Sequence, residues 1–156
     1  MLRAWRATDY VVDTVLLRVG RCSSAMDALL TRAGARTGVF VTAWNPLSRA
    51  MPSGWNRRMQ RRLGERLRRH VTLPAAGSLR RWHEAHLLVA ADPRPVLRLA
   101  RLFRQRGVVL VARHQAVRLV LLCRSDAGSR TATCSQPSRV PPRHGRAVRH
   151  APHGDV

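Results

Sequence analysis

The sequence predicts an α+β fold: a single compact domain over residues 5–123 with a mixed β-sheet of about five to six strands covered by about three helices, then a disordered basic tail over residues 124–156. Three observations predict it. Apolar runs rich in β-branched residues alternate with stretches whose apolar positions recur at helical spacing. Every aromatic residue (Trp5, Tyr10, Phe40, Trp44, Trp55, Trp82, Phe103) precedes residue 123, whereas 124–156 is Ser, Thr, Pro, Arg, His, Gly and small apolar residues that bury too little to offset their ordering entropy. The remaining body of about 120 residues suffices for one independent core.

The elements follow in order. Tyr10 to Val19 is β-branched and apolar, interrupted at Asp13-Thr14, hence a strand or two short strands. Ser24 to Asp27 fits a capping box, Met26, Leu29, Leu30 and Ala33 follow the i, i+3, i+4, i+7 rule, and Gly34 stands as a C-cap. Gly38 to Trp44 is a strand ended by Asn45-Pro46, because the residue before proline is pushed out of helical geometry. Ser53 caps a helix running to His70, with Trp55, Met59, Leu63 and Leu67 as its apolar stripe. Val71 to Leu73 is a short strand, Pro74 to Arg81 a loop, and Trp82 to Ala91 a strand entering the core. Asp92-Pro93 starts a third helix, which buries Val96, Leu99, Ala100 and Phe103 and ends at Gly107. Val108 to Ala112 and Val117 to Leu122 form a last hairpin.

Charge is the most unusual feature of the composition. All 29 basic residues are arginine, against 8 acidic residues, for a net charge of +21. A GC-rich genome explains arginine in place of lysine but not the scarcity of acids, so affinity for polyanions is expected. Cys22, Cys123 and Cys134 have no C-x-x-C spacing, and an odd number cannot all pair within one chain, which fits a reduced, cytoplasmic setting. The N-terminus lacks the apolar core of a signal peptide, and no stretch approaches the roughly 20 apolar residues of a membrane span. There is no P-loop, dinucleotide fingerprint, nucleophile elbow or H-E-x-x-H, so no catalytic motif is recognisable, and no cofactor or metal site is expected.

Several runs carry a family resemblance. An opening Arg6-Ala7-Thr8-x-Tyr10 precedes a strand ending Leu17-Arg18-Val19-Gly20. The run Thr42-Ala43-Trp44-Asn45-Pro46-x-Ser48 follows, with Asn56 at the start of the basic helix, Trp82-x-Glu84 entering an apolar strand, and Phe103-x-Gln105 closing the last helix. In this ordered series the chain, over about residues 5 to 122, resembles the bacterial family called domain of unknown function 3293. It departs from that pattern at His86, Arg104 and Arg106. The resemblance implies neither an activity nor a cofactor.

Two readings of function compete. In the first, a non-enzymatic protein contacts nucleic acid, or an acidic protein, through Arg57, Arg58, Arg61, Arg62, Arg66, Arg68 and Arg69 of the second helix with Arg94, Arg98 and Arg101 of the third. Guanidinium groups at the roughly 6 Å spacing of i, i+4 neighbours meet successive phosphates. In the second, Asn45, Ser48, Asn56, Trp82, Glu84 and Gln105 converge at element ends to form a ligand-binding or enzymatic pocket. Strand alternation places Trp82, Glu84, His86 and Leu88 on one face. The plainer alternatives are an Asn45-Pro46 turn stabilised by its own side chains, Glu84 paired with an arginine, and His86 as a half-buried sheet residue.

Overall fold

The computed structural model describes residues 2–122, so the expected tail over 124–156, with Cys134, and Cys123 before it, lies outside the described residues. Twelve elements follow in chain order: α1 (Leu2–Ala7), β1 (Asp9–Val12), β2 (Val15–Leu17), α2 (Ser24–Arg32), β3 (Thr37–Val41), a 3-10 turn (Pro46–Ser48), α3 (Ser53–Arg66), β4 (Val71–Leu79), β5 (Trp82–Ala90), α4 (Pro93–Leu102), β6 (Gly107–Ala112) and β7 (Arg118–Leu121). The strands form one sheet in the order β2-β1-β4-β5-β3-β6-β7, and every pairing is antiparallel.

The fold is α+β as expected, but the sheet is not mixed. Strands β3 and β4, joined through α3, run the same way with β5 between them, and β5 and β6, joined through α4, have β3 between them. Both crossovers are therefore split, and no two parallel strands touch. Over β3 to β6 this is the ferredoxin-like β-α-β-β-α-β pattern, extended by β1 and β2 on one edge and by β7 on the other.

Among the described residues, seven strands and four helices exceed the expected five to six and three for local reasons. Residues 71–79 form one nine-residue strand instead of a short strand and a loop, paired from Val71↔Ala90 to Leu79↔Trp82. Pro74 lies just outside the stretch paired with β1, on a part of β4 with one open edge, where sheets tolerate proline. The hairpin turns at Arg80-Arg81 with Arg80 at φ 53, a left-handed position that usually calls for glycine or asparagine. The fourth helix, α1, has only six residues and no apolar periodicity to announce it.

Helix ends also differ in detail. Ser23, not Ser24, caps α2 by accepting the Met26 N–H at 3.2 Å, and the helix closes as expected with Gly34 at φ 66. Ser53 is the first helical residue of α3 and not its cap; the helix ends at Arg66, leaving Arg68 and Arg69 beyond it. Asp92 caps α4 by accepting the Arg94 N–H at 2.9 Å. The chain leaves α4 through Arg104 at φ 56, with the Gln105 N–H on the Ala100 carbonyl at 2.9 Å, so Gly107 opens β6 instead of ending the helix.

The two faces of the sheet are covered differently. Leu63 and Leu67 of the α3 region and Val96 and Ala100 of α4 pack on Val39, Val41, Val89 and Val108. Fully burying each of these leucines and valines contributes about 1.5–3 kcal/mol. On the opposite face Met26, Leu29 and Leu30 of α2 pack on Tyr10, Phe40, Leu88 and Val111. Gly20 donates to the Val117 carbonyl at 2.8 Å and Val117 to that of Arg21 at 2.9 Å, which draws the segment after β2 against the start of β7 and curls this face. Helix α2 covers only one end of it.

Candidate functional site

At the other end of the curled face is a cavity of about 390 Å³. Tyr10 and Phe40 line its wall edge to face, with centroids 5.9 Å apart, and His86 meets Tyr10 edge-on at 5.8 Å. Strand alternation puts Trp82, Glu84 and His86 of β5 on the lining. Gly77 of β4 makes room for the imidazole, since a Cβ there would stand 2.9 Å from His86 Cε1. Helix α1 supplies Ala4 and Trp5, followed by Thr8; Trp5 rests on Gly107, where a Cβ would meet the indole ring and lie 2.9 Å from the Val120 carbonyl.

The Asn45 side of the site is built by the chain leaving β3. Pairing with β5 stops at Val41↔Leu87. Beyond it the Thr42 hydroxyl donates to the Ala85 carbonyl at 2.7 Å, and Gln60 of α3 accepts the Ala43 N–H at 2.9 Å, so side chains replace the ladder. Asn45, Leu47 and Ser48 then stand at φ 47, 54 and 59. Asparagine tolerates this region, but for leucine and serine it costs of order 1–3 kcal/mol each. Cross-loop bonds hold the conformation: Leu47 N–H to the Arg104 carbonyl at 2.8 Å, and Gln105 Nε2 to the Trp44 carbonyl at 3.0 Å.

Backbone donors determine how the two buried asparagines are oriented. The Asn45 N–H donates to Asn56 Oδ1 at 3.0 Å, so the Asn56 amide presents Nδ2 to the Met51 carbonyl at 3.2 Å and to Asn45 Oδ1 at 3.0 Å. The Met51 N–H also donates to Asn45 Oδ1 at 3.0 Å. Asn45 Nδ2 is thereby aimed at Glu84 Oε1, 2.7 Å away. Asn56 is 3 % exposed and lies behind the cavity as the support for Asn45.

Electrostatics sets the character of the lining. Burial raises the Glu84 carboxyl above its ordinary range, opposed by hydrogen bonds from the Asn45 and Trp82 side chains and by nearby His83. Burial pulls His86 down to about 4, so its imidazole is neutral at pH 7. Its Nδ1 lies 3.1 Å from the Glu84 carbonyl, which can only accept; Nδ1 therefore carries the proton and Nε2 keeps a lone pair. Burial pushes Tyr10 up to about 12. Glu84 has no cation within 4 Å among the described residues, whereas Asp9 and Glu65 each meet an arginine and Asp27 meets His114.

Five of the six residues singled out for a pocket, Asn45, Ser48, Trp82, Glu84 and Gln105, line this cavity, and Asn56 stands behind it. Sequence reasoning misses Trp5, Thr8 and Tyr10, which arrive from the N-terminal segment, and Thr42 and Gln60 as the supports of the loop. His86 is legible as a neighbour of Glu84 through the period-2 alternation, and Tyr10 only as part of a strand.

The ten candidate arginines are all exposed. Arg57, Arg58, Arg61, Arg62 and Arg66 project from α3, Arg68 and Arg69 follow it, and Arg94, Arg98 and Arg101 belong to α4. They belong to the helical layer on the side of the sheet opposite the cavity. Among the described residues only Arg61 of this set has a carboxylate partner, Glu65 at 3.8 Å. Cys22 is an exposed free thiol, no three metal-ligating side chains cluster, and no helix is long and apolar enough to cross a membrane, again among the described residues. No curated protein and no solved structure matches the chain. Residues 41–108, which carry the Asn45 loop, Asn56, Glu84 and Gln105, match the family described as Protein of unknown function (DUF3293), the same family that the sequence resembles.

Proposed function

We propose that the protein binds a small molecule in the cavity between α1, β5 and the Asn45 loop. One observation carries this reading: side chains from five separate segments meet around one volume of about 390 Å³, within the range of small-molecule sites. The surrounding structure is arranged to hold them, with the Asn45–Asn56 pair orienting Asn45 and through it Glu84. Left-handed leucine and serine at Leu47 and Ser48 are the kind of strain that persists where a site needs it. The test is native mass spectrometry of the purified protein for a co-purifying small molecule, with a fragment screen read by thermal shift. A hit should raise Tm in the parent and fail to do so in Asn45→Ala and Glu84→Gln, whose folded state is checked by circular dichroism. Hits that stabilise the parent and both variants equally refute the site.

The exposed arginines favour a second reading, in which the α3–α4 face contacts a nucleic-acid backbone. Ten outward guanidinium groups, with one carboxylate partner for the set among the described residues, support it. If about five phosphates are neutralised, log K for duplex DNA falls with log salt at a slope near −4 to −5. A flat dependence, or no binding at low salt, removes this reading and leaves the cavity untouched.

A further inference from the structure

We propose that the ligand of this cavity is a protonated amine with an apolar body of about one aromatic ring, its N–H groups donating to Glu84, His86 and Gln105; this rests on the small-molecule reading above. The hydrogen bonds of the lining point to it. Gln105 Nε2 donates to the Trp44 and Phe103 carbonyls at 3.0 and 3.4 Å, so its Oε1 is left as an acceptor. His86 spends its proton on the Glu84 carbonyl and keeps the Nε2 lone pair. Asn45 Nδ2 is directed at Glu84, whose two oxygens hold more lone pairs than Asn45 and Trp82 fill. Internal bonds thus occupy the donors of Gln105 and His86 and direct one Asn45 N–H at Glu84, leaving acceptors that a ligand supplying N–H groups completes.

Charge and shape agree with this. Glu84 is partly buried with no cation within 4 Å among the described residues, in a protein of net charge +21 in which an arginine partner would be the ordinary outcome. Four of the seven aromatic residues, Trp5, Tyr10, Phe40 and Trp82, line the same cavity, and Trp82 is 47 % exposed at its edge. Indole faces attract ammonium groups and cover an apolar body, and a cation meeting both an indole and a carboxylate is held by two contributions of the same sign. Repulsion from the arginines on the far side of the sheet is weakened by screening, since the Debye length is about 8 Å at physiological salt. Arg106 also lies on the lining, and the anionic probe below addresses it.

The test uses the full-length, ¹⁵N-labelled protein and three probes of one size: 2-phenylethylamine, 2-phenylethanol and 3-phenylpropionate. Binding is followed through the indole N–H resonances of Trp82 and Trp5. The expected result is saturable shifts of both resonances with the amine, at least tenfold weaker binding of the alcohol, and none of the carboxylate. Glu84→Gln keeps an oxygen for Asn45 but turns an amide donor toward the ligand, so amine binding should fall at least tenfold and the preference for the amine over the alcohol should vanish. Should that variant not fold, the parent decides. The amine stays charged from pH 8 to 4, and its affinity should drop on acidification as Glu84 and then His86 take up protons, with His83, Tyr10 and Arg106 the other ionisable groups around them. Equal binding of amine and alcohol, preference for the carboxylate, or no binding of any probe at millimolar concentration overturns the amine assignment. The small-molecule reading is judged separately by the mass spectrometry and fragment screen.

Discussion

Asn56→Ala tests whether the site is held by the hydrogen bonds described. The side chain is almost fully buried, accepts the Asn45 N–H, and donates to Asn45 Oδ1 and the Met51 carbonyl. Alanine leaves the buried Asn45 N–H without a partner, which costs about 1–3 kcal/mol, and removes two further bonds worth roughly 1 kcal/mol each; Asn45 Oδ1 retains the Met51 N–H. The expected loss is about 3–5 kcal/mol in urea unfolding at unchanged m-value, equivalent to a fall in Tm of roughly 12–20 °C for a domain of this size. Asn56→Asp separates packing from polarity. It keeps the acceptor for Asn45 but sets a carboxylate oxygen 3.0 Å from Asn45 Oδ1 and 3.2 Å from the Met51 carbonyl. That raises the folded-state pKa of the new carboxyl, so the variant should gain stability relative to the parent as pH falls and the acid protonates. If Asn56→Ala unfolds within about 0.5 kcal/mol of the parent, the asparagine pair does not hold the loop and the reasoning fails.

Two further outcomes follow. His86 has a folded pKa of about 4 against 6.5 in the unfolded chain, so its contribution is complete above pH 6.5 and lost as pH falls from there to about 4, with a ceiling near 3 kcal/mol. Glu84, raised by burial, runs the other way above 4.5; NMR titration of the His86 imidazole, with the pH dependence of His86→Gln unfolding beside it, checks the histidine contribution, and an imidazole pKa near 6.5 refutes it. Arg80→Gly should stabilise the protein by up to about 1 kcal/mol, because Arg80 is exposed and held at φ 53 in the β4–β5 turn; a loss of stability on that change means that the arginine side chain has a contact worth more than the backbone penalty.

The parts of the site that are legible in the sequence are those whose chemistry is local. The alternation of Trp82, Glu84, His86 and Leu88 follows from strand geometry alone, and Asn45-Pro46 announces the end of β3. The β4–β5 hairpin is hidden because its turn is Arg-Arg, with the left-handed residue imposed by the nine-residue pairing on either side. Gly107 misleads for a related reason. Arg104 takes the left-handed position after α4, and the glycine is needed where Trp5, about a hundred residues earlier in the chain, rests on the strand.

By itself the sequence determined the element types, the strongly cationic helix exteriors and the set of polar residues at element ends, since each depends on periodicity or on neighbours a few residues apart. Only the tertiary structure decided that β5 and β3 insert between same-direction strands to make the sheet antiparallel, that α1 and Tyr10 close a cavity over Glu84 and His86, and that the arginines and that cavity occupy opposite faces. Those outcomes depend on pairing between strands far apart in the chain, which local preferences leave open and which the burial of two separate apolar faces selects.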